Sequence, residues 1–208
     1  MARGYRQGRR GETVAATRRR IVEATAALHN EQGIAATSLK QIARRAGVSV
    51  GAVYHHFPTY EDAVRACGAH NFAVHPLPPA SIFRGIDNVE GRLALLVREL
   101  FQLYRAVPAI ESAYADRRKI AALDADLARL DRGIEALLRV ALSPATLDDA
   151  ARPVALALLH DSFYRRLSAA GLDLDAAAAE AARLLNARLI AARLDRTRSR
   201  PEDPKGAD

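Results

Sequence analysis

Residues 37–57 read TSLKQIARRAGVSVGAVYHHF. Ser38, with Gln41 three residues on, has the spacing of a capping box, so a helix begins there. Leu39, Ile42, Ala43 and Ala46 recur at helical intervals and face inward. Gly47 ends that helix after about two turns. Ser49 can cap the next helix, and Pro58 blocks its continuation beyond about His56. Two short helices joined by a tight glycine-containing turn form a helix-turn-helix, whose second helix enters the DNA major groove. Val53 and Phe57 supply its buried side. Val50, Gly51, Ala52, Tyr54, His55 and His56 are then left wholly or partly outward. Paired histidines also raise the question of a metal. Adjacent helical side chains diverge by about 100°, and no Cys or carboxylate lies within one turn, so the reading is no metal and no cofactor.

The flanking sequence continues in helices. Ile21, Ala24, Thr25 and Leu28 make one apolar stripe over 17–32, and Gly33 stops it. Thr59 is a cap for a helix over 59–75, with Glu61 and Asp62 favourably placed in its first turn. His75-Pro76 ends that helix and HPLPPAS (75–81) is a break. Leu93, Leu96, Val97, Leu100 and Tyr104 mark a helix over 89–106. Pro108 opens a short one through Tyr114, and residues 117–142 carry a long amphipathic pattern. A turn over 143–153 leads into a helix running to about Ala169. Gly171 separates that from a last helix over 172–194. Strand signals are nearly absent. The chain is therefore expected to be all-α: a basic disordered arm (1–16), a three-helix helix-turn-helix DNA-binding domain (17–62), a larger helical domain (63–195) and a disordered tail (196–208).

The charge distribution supports a polyanion partner. Residues 1–60 hold ten Lys or Arg against three acids, which is the whole of the net +7. The remaining residues hold 21 of each sign. A positive field confined to one small segment points to nucleic acid. Half of the 208 residues are hydrophobic, a globular composition. No apolar run approaches the roughly 20 residues of a membrane span, so no membrane partner is expected. A single cysteine, Cys67, excludes an internal disulfide and fits a cytoplasmic location. It reads as a small buried apolar residue. There is no G-x-S-x-G, P-loop, dinucleotide fingerprint or metal-spaced Cys/His set, so catalysis is not expected.

The few aromatics of the second domain are candidate cavity walls. Phe72, Phe101, Tyr104, Tyr114, Phe163 and Tyr164, with His160 as a polar tip, suit a small organic effector; plain core packing is the competing reading. Arg117-Arg118-Lys119 reads as a solvated cluster opening a helix. The last two helices are rich in Ala and Leu, and the Gly171 hairpin makes them antiparallel. Two such hairpins would pair as a four-helix bundle across a two-fold axis, with Leu156, Leu159, Leu184, Leu185 and Arg188 at the interface. An intramolecular bundle is the alternative.

TSLKQIARRAGVSVGAVYHHFPTYEDAV resembles the DNA-binding signature of the TetR/AcrR family of transcriptional regulators. Ile42, Ala43, Gly47, Val48, Ser49, Gly51, Tyr54, His56, Phe57 and Glu61 carry the resemblance, and the upstream helix RRRIVEATAALHNEQG also fits. It covers residues 17 to about 65; the rest is similar in layout alone, and that likeness implies that 63–195 form a ligand-binding and dimerisation domain. The resemblance implies a homodimer on a palindromic operator, released when a small molecule enters a C-terminal pocket, and most often repression. It implies that Ser49, Gly51 and Tyr54 contact phosphates and cap the recognition helix. By the same resemblance Val50, Ala52 and His55 read bases, Lys40 reaches a base or phosphate, and His56 lies at the backbone or in packing. Family members often carry a lysine where this chain has Tyr60, whose hydroxyl can still bond a phosphate without charge. The basic arm, Arg3 to Arg10 with Arg18 to Arg20, would add phosphate neutralisation. Two alternatives stand beside this reading: a constitutive DNA-binding dimer without a ligand, and a protein-interaction regulator with a degenerate DNA head, since Val50 and Ala52 offer few hydrogen bonds to bases.

Overall fold

The computed structural model describes residues 2–144, 147 and 149–198, and the side chains of 12–144, 147 and 149–191. Among them there are ten α-helices and no strand: α1 (Ala2–Gln32), α2 (Leu39–Ala46), α3 (Val50–His56), α4 (Tyr60–Val74), α5 (Val89–Ala106), α6 (Ala109–Asp116), α7 (Ala122–Leu142), α8 (Ala151–Leu158), α9 (Asp161–Ala169) and α10 (Leu174–Arg198). A 3₁₀ turn over Ala80–Phe83 follows the proline-rich break. No described helix is long and apolar enough to cross a membrane.

The local signals act as expected around the helix-turn-helix. Ser38 and Gln41 close a complete capping box on α2, and Gly47 ends it in the left-handed region at φ 63°. Ser49 accepts the Ala52 N–H at 3.1 Å and starts α3. Thr59 and Asp62 form a second capping box on α4. The head is sealed by Ile21, Ile42, Val53 and Phe57, all at most 2 % exposed.

The chain divides into two compact units along lines other than the expected 62/63 boundary. The first unit comprises Met1–Leu77 and Leu103–Arg132; the second comprises Pro78–Gln102 and Gly133–Asp208. The division falls within α5 and α7. The physical reason in the first unit is α4. Its Ala63 joins the head cluster, whereas Val64, next along and turned by about 100°, joins a second cluster with Ile34, Ala113, Ile120, Leu123 and Leu127. One helix buried on two sides belongs with both.

Three further expectations change. The arm expected over 1–16 continues α1 back to Ala2. Once the turns around Ile21 are formed, extension costs only propagation, and no proline interrupts 2–16. The side chains of Arg3, Arg6, Arg9 and Arg10 lie outside the described residues, as do 199–208 of the expected tail; 196–198 continue α10. The long helix expected from 117 begins at Ala122 instead. Cations are unfavourable at a helix start, and here Arg117 pairs with Asp124 at 2.5 Å and Lys119 with Asp116 at 3.0 Å rather than being simply solvated.

The second unit contains the remaining corrections. The helix expected to reach Ala169 unbroken is two helices, α8 and α9. His160 is extended at ψ 148°, and its ring accepts the Ser162 N–H at 3.2 Å, capping α9. Asp161, 1 % exposed, pairs with Arg165 at 3.2 Å in the first turn. The core here holds Phe101 against Tyr164, ring centroids 4.9 Å apart. Leu159 and Leu185, expected at a dimer interface, are 0 % and 3 % exposed within the single chain. Surface already buried cannot be buried again, so these two are core. Leu156 and Arg188 are half-buried, and Leu184 is exposed.

Candidate nucleic-acid interface and an apolar cavity

The outward face of α3 follows from its caps and from the two residues it buries. With Val53 and Phe57 fixed inward, Val50 and Tyr54 stand 40 % and 53 % exposed, and Gly51 and His55 are exposed beside them. Ala52 and His56 are half-buried. Burial, then His55 and Arg18, lower the His56 pKa below its ordinary value. Lys40 is exposed on α2. Two of the head's cations serve the fold. Arg45 makes a paired contact with Glu31, and Arg20 donates to the carbonyls of Ala46 and Gly47, in the turn itself. Arg18 lies over the Phe57 ring, 4.9 Å from its centroid. The sequence counted Arg20 only as charge; no local signal assigns it to the turn.

Tyr60, expected at a DNA phosphate, is turned inward. Its hydroxyl donates to the Ile34 carbonyl and meets His29 Nε2 at 2.9 Å. A half-buried phenol with its hydrogen already placed has none to offer a phosphate. Burial raises its pKa well above the ordinary tyrosine range. His29 is 2 % exposed. Burial lowers its pKa to about 4, so the ring is neutral at pH 7. Its other nitrogen, Nδ1, lies 3.5 Å from Cys67 Sγ. His29 was missed in the sequence, although it falls on the stripe of Ile21, Thr25 and Leu28 and its burial was legible there.

Beside this cluster lies a largely apolar cavity of about 90 Å³. Its walls come from the end of α1, α4, the end of α5, α6 and α7, all within the first unit. His29, Cys67, Asn71, His75 and Asp126 are its polar or ionisable lining. Burial pushes the Cys67 thiol up to about 12, with Asp126 adding to it, so the sulfur is an un-ionised wall atom.

Residues 21–67 match the family model described as bacterial regulatory proteins, tetR family. That stretch, the helix-turn-helix head, carries the tetR-family domain. Solved structures agree in fold. A TetR transcription regulator from Haloarcula marismortui is 18% identical and aligns over 86% of this chain and 98% of its own, with TM-score 0.62. The fatty acid degradation regulator FadR from Bacillus halodurans is 20% identical over 81% and 93%, with TM-score 0.63. The multidrug binding protein EbrR complexed with proflavin is 21% identical over 83% and 99%, with TM-score 0.59. No curated protein matches the chain. Residues 21–67 thus match the tetR-family domain, and the described chain shares the helical fold of these solved structures.

Within that TetR-family fold the expected effector residues scatter. Phe72 lines the cavity. Tyr104 is 1 % exposed and off the cavity. Tyr114 donates its hydroxyl to Asp131 at 2.5 Å. Phe101 and Tyr164 are packed against each other in the second unit, where Phe163 is half-buried and His160 is a helix cap. An aromatic residue type reveals a preference for apolar surroundings; it does not distinguish a core from a cavity wall.

Proposed function

We propose that this protein is a TetR-family, sequence-specific transcriptional regulator, a cytoplasmic homodimer that represses from a palindromic operator and is released by a small organic molecule. The observation that carries the reading is the capped seven-residue α3, with Val53 and Phe57 buried and Val50, Gly51, Tyr54 and His55 facing out. In this reading Ser49, Gly51 and Tyr54 meet phosphates, and Val50, Ala52 and His55 meet base edges, the first two through thymine methyl groups. Lys40 supplies a flanking contact and His56 packs at the backbone.

The effector site in this reading is the cavity of the first unit, with Phe72 on its wall. α4 supports a link to the DNA head, since it serves both the head cluster and the cavity wall. His29 and Ile34 also belong to the wall, and Tyr60 bonds to both. A molecule that displaced them would act on the start of α4 directly. The proflavin in EbrR shows that one protein of this fold accepts a small organic molecule. Leu184, Ile190 and Val154, exposed apolar residues on α10 and α8, support dimerisation through those helices, with Leu156 and Arg188 at the edge.

Selection of bound fragments from a random double-stranded DNA pool at about 150 mM salt tests the reading. The expected result is an enriched palindrome with half-sites about one helical turn, roughly 34–36 Å, apart. Binding without enrichment that disappears as salt rises would reduce the +7 head to an electrostatic grip and overturn it.

A further inference from the structure

Asp126 sets this cavity apart from a plain apolar chamber. It sits on α7, half-buried, and its carboxylate stands directly over Gly68 of α4. The position that a β-carbon would take at Gly68 is filled by Asp126 Oδ2, with Cγ 3.0 Å away. Only the missing side chain at 68 lets the carboxylate reach that place.

Among the described residues no hydrogen bond or ion pair reaches this carboxylate. Arg65 is committed to Asp62 at 2.9 Å, and Arg129 lies over the Phe72 ring at 4.9 Å. Of the other polar wall residues, His29 is engaged with Tyr60 and Cys67, and Cys67 with Asn71, while His75 makes no hydrogen bond to the carboxylate. Burial raises the Asp126 carboxyl above its ordinary range, against the pull of Arg129 and then Arg65.

A carboxylate set into an apolar wall is costly unless something pairs with it. A neutral guest that displaced water would deepen that cost, and an anion would add repulsion. A cation is the one charge class that returns favourable energy on entry. From this juxtaposition we propose that the cavity takes a lipophilic monocation, with its charged nitrogen against Asp126 and its hydrocarbon body against Phe72, Leu103, Ile110 and Leu127. The proposal rests on the cavity being the effector site.

The test uses the full chain at about pH 8, well above the ordinary carboxylate range. Benzyltrimethylammonium is compared with its neutral carbon isostere, neopentylbenzene, by calorimetric titration. The wild type is expected to bind the cation about tenfold more tightly, through the ion pair with the partly buried carboxylate. Asp126→Asn should abolish that ratio while leaving the neutral probe within about twofold. Gly68→Ala, which drives the carboxylate from its position without removing it, should also reduce the ratio. If the neutral probe binds as tightly as the cation, or if Asp126→Asn keeps the preference, the cation assignment is overturned and the cavity stands as a ligand site. If neither probe binds, the effector site itself is overturned and this proposal goes with it.

Discussion

Arg20 reaches from α1 to the carbonyl oxygen of Ala46 with its Nη2, at 2.8 Å, and holds the last turn of α2 where the helix-turn-helix bends. Its Nε makes a second bond to the same oxygen at 3.2 Å, and Nη2 a third to Gly47 at 3.1 Å. A cation at the carbonyl end of a helix also complements the dipole there. The turn angle sets how α3 is presented, so Arg20 is a positioning residue. Arg20→Ala should lower stability by about 1 kcal/mol, the value of such a hydrogen-bond set at a surface. It should weaken all DNA sites alike with the salt slope unchanged. A slope reduced by about one unit would instead make Arg20 a phosphate contact.

In the proposed reading Tyr54 grips a phosphate and His55 reads a base. Tyr54→Phe should weaken binding uniformly across sequences without loss of stability, because Tyr54 is 53 % exposed. His55→Ala should relax preference at one base position by about 1–3 kcal/mol of discrimination. Binding profiles over a set of single-base operator variants measure both. An unchanged profile for His55→Ala removes it from the reading face.

Tyr60→Phe removes the hydroxyl that donates to the Ile34 carbonyl and contacts His29. The Ile34 carbonyl keeps the Thr37 N–H at 3.1 Å, but the buried His29 Nε2 loses its partner, at a cost of about 1–3 kcal/mol. Chemical denaturation should show that loss, and the operator affinity of the folded protein should stay the same. A drop in affinity with stability intact would restore Tyr60 to the DNA interface.

His29 makes stability depend on pH. Its pKa is about 4 in the folded chain against 6.5 in the unfolded one, so the unfolded state binds the proton more readily. The contribution is fully present above pH 6.5 and is lost as pH falls through the folded value. At about 1.36 kcal/mol per unit, the loss approaches 3 kcal/mol. The difference in unfolding free energy between wild type and His29→Gln, followed from pH 7 to pH 4, should show this slope. Parallel curves would count against the buried neutral ring.

Leu184 and Ile190 are 40 % and 58 % exposed on α10. Leu184→Glu with Ile190→Glu should convert a dimer to a monomer in sedimentation analysis, with the helical content kept. A dimer that survives both changes would place the interface elsewhere.

Elements whose causes are local were legible in the order of the residues. The Ser38–Gln41 box, Gly47, the Ser49 cap and the Val53/Phe57 side of α3 act within a few residues, and each appears where periodicity and capping put it. The bounds of α5 at 89–106 follow from its apolar spacing in the same way. Long-range packing set the direction of Tyr60, which bonds a carbonyl 26 residues away, and the engagement of Asp116, which accepts the Ala35 N–H at 2.9 Å across 81 residues. The same holds for Leu159 and Leu185 as core, and for a carboxylate at 126 seated over a glycine at 68. A cap or a stripe is a short-range energy balance that the chain carries in its own order. Which side chain ends in a wall, a core or a cavity depends on what distant segment packs against it, and no local pattern encodes that neighbour.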